Sequence, residues 1–129
     1  MAKRQSISAR AKKAENRVVR YLFGADKFRD WKDERDIHGD VYAGDDADGQ
    51  EWVGECKNYA WPAGPKRMWS ILFAALEQCE GYSTRAFAVF IPVHCEVADA
   101  LVMWRHSGIP IVTTAESFRD RLCKAPPVG

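Results

Sequence analysis

Histidine is scarce in this chain, with three residues in 129, and the four cysteines stand far apart at Cys56, Cys79, Cys95 and Cys123. No CxxC pair and no Cys/His cluster with zinc-ligand spacing is present, so a zinc-stapled domain is excluded. Reduced, buried thiols are the expectation for cysteines placed this way. Long apolar runs are missing too, which excludes a membrane-spanning helix. The basic N-terminus continues into Ala, Lys and Arg rather than an apolar segment, so the reading is no signal peptide and a cytoplasmic location. Internal repeats are lacking, as is any linker that would divide the chain in two. Charge of one sign is not in excess, since 19 Lys and Arg face 18 Asp and Glu.

What is present is the composition of one globular domain spanning residues 1–129, 47% hydrophobic with five Trp, long enough to bury a core. The near-zero net charge hides a strong asymmetry. Lys3, Arg4, Arg10, Lys12, Lys13, Arg17 and Arg20 crowd the first segment against a single acid, Glu15. The stretch from Asp26 to Glu55 is rich in acids. A basic arm beside an acidic patch suits a protein that holds a phosphate backbone near a metal ion, although a solvated basic helix has the same composition.

Taken in order, residues from about 7 to 23 predict a helix, with Ser6 or Ser8 as N-cap and Gly24 as its stop. Ala11, Ala14, Val18 and Leu22 form its apolar stripe, and Glu15 lies beside that stripe, placed to face a sheet rather than water. Lys27 to Trp31 alternates as a first strand. His38 to Ala43 and Gln50 to Tyr59 predict an antiparallel pair around the loop Gly44 to Gly49. Trp61 falls in the rigid loop Ala60 to Pro65, where burial against the helix is the plainer account and stacking on a base the alternative. A helix is expected from about Lys66 to Glu80, apolar on two sides: Met68, Ile71, Leu72, Ala75 and Cys79 on one, Trp69, Phe73 and Leu76 on the other. Arg85 to Val93 is nearly all apolar, the mark of a central strand buried on both faces. Glu96 to His106 predicts a helix, from Val97, Leu101 and Trp104; Ile109 to Thr113 a strand; Ala115 to Cys123 a helix; residues 124–129 a loose tail. The whole is an α/β fold, a mixed sheet of about five strands with helices on both faces.

The chemistry concentrates in Asp40 and in Glu55-Cys56-Lys57. Side chains alternate along a strand, so Glu55 and Lys57 share a face and Cys56 takes the other. A hairpin pairing would bring Asp40 beside them. A cross-strand ion pair of purely structural value is the plainer account of the same residues. The loop itself matches a calcium-binding EF-hand at Asp46, Asp48, Gly49 and Glu55, but Gly44 and Glu51 break that pattern and flanking helices are lacking. A turn rich in Asp and Gly is the better reading.

The string Gly39-Asp40, fourteen residues, Glu55-x-Lys57 resembles the motif pair of the PD-(D/E)XK nuclease superfamily, with Gly39 where that motif's name has proline. The leading helix, with Arg10, Glu15, Val18 and Leu22, is similar to the first helix of the archaeal-type Holliday junction resolvases in that superfamily. Gln78 and Tyr82 have the Q-x(3)-Y spacing of its RecB-type branch. The resemblance covers roughly residues 8–93 and implies a restriction-endonuclease-like core. It implies that Asp40, Glu55 and the main-chain carbonyl of Cys56 hold Mg²⁺, for which Mn²⁺ substitutes, and that Lys57 orients the attacking water and offsets charge. Glu15 and Gln78 would complete the catalytic set. Arg10, Lys12, Lys13 and Arg17 would lie along DNA.

So read, the chain is a metal-dependent DNA endonuclease cutting four-way junctions. Two symmetric cuts would require a homodimer, for which Trp69, Phe73 and Leu76 are the candidate interface. A RecB-like exonuclease, another repair or restriction-type nuclease, and a non-catalytic DNA-binding module are the alternatives.

Overall fold

The computed structural model describes residues 7–24, 28–30, 41–59, 65–92 and 95–123. Helix α1 (Ile7–Phe23) ends where the sequence stops it. Gly24 takes φ of 96°, and its N–H donates to the Arg20 carbonyl at 2.8 Å. Val18, Val19, Leu22 and Phe23 make its buried stripe, while Lys13, Arg17 and Arg20 face solvent.

Strands β1 (Phe28–Asp30), β2 (Val41–Asp45) and β3 (Glu51–Tyr59) form an antiparallel meander. Helix α2 (Pro65–Glu80) then crosses over to β4 (Ala86–Pro92), which lies parallel to β3. Every residue of β4 is buried, as a strand covered on both faces requires. A short 3₁₀ turn (Val97–Asp99) leads to β5 (Leu101–His106) and β6 (Ile109–Thr114), and α3 (Ala115–Cys123) follows. Among the described residues the sheet has six strands in chain order, all antiparallel except the β3–β4 pair.

The α/β class and the helices on both faces are as expected from the sequence. The run Glu96 to His106 is not a helix. Its apolar residues fit a helical stripe at Val97, Leu101 and Trp104, but Leu101 to His106 pairs with β4 and supplies the sixth strand. Ser107 and Gly108 decide it: both take positive φ, 53° and 81°, the backbone of a tight hairpin turn. Thr114 then caps α3, its hydroxyl accepting from the Ser117 N–H at 3.2 Å.

The sheet separates two cores of different character. On one face α1 and α3 cover Tyr42, Trp52, Cys56, Phe87 and Trp104. Phe118 of α3 is the hub, with ring centroids 5.3 Å from Trp52, 5.4 Å from Phe87 and 5.5 Å from Trp104. The other face carries small residues, Ala43, Ala86 and Ala88 among them, and α2 packs there through Leu72, Ala75, Leu76 and Cys79. Leu76 is therefore fully buried inside the protein and cannot belong to an interface between copies. No described helix is long and apolar enough to cross a membrane.

Candidate functional site

Alternation along β3 sends Val53, Glu55 and Lys57 toward α2, and Gly54 and Cys56 toward the aromatic core. Gly54 has a steric reason. A Cβ there would fall 2.3 Å from carbons of the Phe87 ring, so only glycine lets that ring lie across the strand. The motif strand is thereby pinned against β4 at the residue preceding Glu55.

Glu55 is 5% exposed. Its Oε1 lies 2.7 Å from the Lys57 ammonium, which stands at the rim with 28% of its side chain exposed. Its Oε2 is buried and has no hydrogen-bond partner. Val41 of β2 lies directly opposite Glu55, and Ala88 of β4 is its other neighbour in register. Cys79 of α2 is buried in the core on the same face of the sheet. Burial, then the Glu55 charge, push its thiol up to about 12, against an opposing pull from Lys57. Cys79 is thus neutral at physiological pH and packs as a small apolar group.

This is an expensive arrangement for a stabilising ion pair. A carboxylate removed from water needs donors for both oxygens, and here one oxygen has a lysine and the other none. An oxygen of this kind suits a hard cation, which needs no proton from the protein. The fit to Mg²⁺ rests on that oxygen. Among the described residues no three His, Cys, Asp or Glu side chains cluster closely enough to hold a metal ion by themselves.

Of the residues singled out from sequence, Glu55 and Lys57 come together on one face. Asp40 lies outside the described residues, as does Trp61; Val41, next after Asp40 in the chain, is the residue paired with Glu55. Glu15 is 3% exposed and turned inward, but on a helix that packs against the Cys56 face, across the sheet from Glu55 and Lys57, so it does not join them as the catalytic set predicted from sequence requires. Lys13 and Arg17 are exposed on that helix, and Arg10 and Lys12 belong to it. Gln78 is exposed, outside the stripe of α2 that meets the sheet. Cys79, one residue on, is the side chain that α2 buries against the sheet. The helical spacing of Leu72, Ala75, Leu76 and Cys79 carried that information, but as a packing signal.

The calcium reading of the Gly44 to Gly49 loop fails on geometry. Asp46 is occupied by its own loop: Oδ1 accepts from the N–H groups of Asp48 and Gln50, each at 2.9 Å, and Oδ2 from the Trp52 indole at 3.0 Å. Glu55 lies three residues beyond Trp52, about 10 Å along the strand, so the two carboxylates cannot share an ion.

No family model, no curated protein and no solved structure matches this chain.

Proposed function

We propose that the chain is a metal-dependent DNA endonuclease, with Glu55 and Lys57 at its centre. One observation carries the reading: a buried carboxylate that gives one oxygen to a lysine and keeps the other without a donor. A divalent cation bound there would polarise a phosphodiester and make its water nucleophilic. Glu55 Oε2, the main-chain carbonyl of Cys56 and Asp40 would hold the ion through hard oxygens. Lys57, anchored by Glu55 and partly exposed at the rim, is placed to meet a phosphate oxygen and offset charge as the phosphate is attacked. Exposed Lys13 and Arg17 of α1 offer further contacts to a DNA backbone. The order Asp40, then Glu55-x-Lys57 on the next strand, resembles the PD-(D/E)XK nucleases. A junction-resolving homodimer using Mg²⁺ or Mn²⁺ in the cytoplasm is the specific form we favour.

The test is cleavage of end-labelled four-way junction, flap, duplex and single strand with Mg²⁺, by the natural sequence, Lys57→Ala and Asp40→Asn. Paired symmetric cuts in the junction are expected, reduced by at least about a hundredfold in both variants. End-dependent digestion would assign an exonuclease instead. Absence of cutting by every form, with DNA still bound, would sink the enzyme reading.

A further inference from the structure

We propose that the outer face of the first two turns of α2 is a docking surface for an unpaired DNA strand, with Trp69 stacking on a base. Lys66, Arg67, Trp69 and Ser70 are all exposed there, and Trp69, at 42%, is among the few large apolar side chains left open. Lys66, Trp69, Ser70 and Phe73 follow one another at helical spacing, so cation and indole share one stripe.

The charges of α2 run against its own dipole. Lys66 and Arg67 sit at its start, its first acid is Glu77, and its last turn has no base. Helix stability favours the reverse. Cations and the positive end of the helix together suit a polyanion. An exposed indole among cations suits a polyanion whose bases are free to stack. A duplex hides those faces, whereas a single strand or an opened branch point offers them.

Position supports the same partner. α2 packs on the face of the sheet that carries Glu55 and Lys57. Five residues separate the end of β3 from Pro65, and Lys57 lies two residues before that end. The patch therefore lies on the helix that covers the face of the sheet carrying the candidate catalytic pair. Trp69, assigned from sequence to a dimer interface, becomes a substrate contact. The choice of DNA rests on the nuclease reading, but the surface is testable without it.

Binding is measured by fluorescence anisotropy with the full chain, in metal-free buffer with EDTA. The probes are a labelled single-stranded 20-nucleotide DNA, the blunt duplex and the RNA of the same sequence. The single-stranded DNA is expected to bind tighter than the duplex. Trp69→Ala should weaken it about tenfold and leave the duplex nearly unchanged, and Trp69→Phe should retain most of the affinity. Lys66→Ala with Arg67→Ala should reduce the salt slope for the single strand by about 1.4. Arg121→Ala, which removes an exposed cation of α3 across the sheet, should bind as the natural sequence does. Unchanged single-strand binding by Trp69→Ala would overturn the proposal. So would tighter binding of RNA than DNA, or a Trp69→Ala change confined to oligomeric state in sedimentation.

Discussion

Asp46 and Glu55 stand at opposite ends of one β-hairpin, and the protein treats them in opposite ways. Asp46 is ringed by donors: two main-chain N–H groups and an indole share its carboxylate. Burial pushes its pKa up, but the hydrogen bonds from Trp52, Gln50 and Asp48 and the nearby Arg85 charge together hold it below its ordinary 3.8. Glu55 is more deeply buried and less well served, with Lys57 on one oxygen and nothing on the other. A carboxylate built for stability is surrounded by donors; one that keeps an oxygen bare in the interior is available to something else.

Exchanging each acid for its amide should break the comparison cleanly. Glu55→Gln should lose Mg²⁺-dependent cleavage by at least about a hundredfold while its thermal stability stays close to that of the natural sequence. Asp46→Asn should do the reverse: cleavage kept, and stability at neutral pH reduced by about 1–2 kcal/mol through its weakened hydrogen bonds. A Glu55→Gln variant that unfolds as readily as Asp46→Asn would make Glu55 a structural residue.

Packing beneath the site should give the next largest change. Gly54→Ala forces a methyl into the buried Phe87 ring and should cost about 1–3 kcal/mol in denaturant unfolding. Gly49→Ala makes the useful control at the other end of the hairpin, since a Cβ there meets nothing within 4 Å and only its φ of 76° resists the change.

Acid unfolding sharpens the contrast further. The depressed pKa of Asp46 means its contribution is complete above pH 3.8 and is lost as pH falls through the lower folded value. The natural sequence should therefore lose stability over that interval more steeply than Asp46→Asn, as read by circular dichroism.

The smallest effect concerns thiols. With its pKa pushed up to about 12, Cys79 should stay unmodified by a thiol reagent at pH 8, while exposed Cys123 reacts. Fast labelling of Cys79 would mean that α2 lifts from Glu55 readily.

Much of this architecture was legible in the chain because local rules decided it. Gly24 ends α1, Pro65 opens α2, and the apolar run of β4 can only be a strand covered twice. The pairing of Glu55 with Lys57 follows from alternation alone. Leu101 to His106 misled because its apolar residues satisfy both periods, and only pairing with β4 and the Ser107–Gly108 turn resolves them. Leu76 misled in a similar way: an apolar stripe reveals that a face is covered, and not by what.

The sequence by itself determined the elements, the class of fold and which two charges of β3 share a face, since these depend on propensity, caps and periodicity within a few residues. Tertiary structure decided the rest. It buried Glu55 and Cys79 and left Gln78 outside, left one carboxylate oxygen without a donor, and turned Trp69 outward beside Lys66. Burial and unmet hydrogen bonds depend on what packs from distant parts of the chain, and no local pattern encodes them.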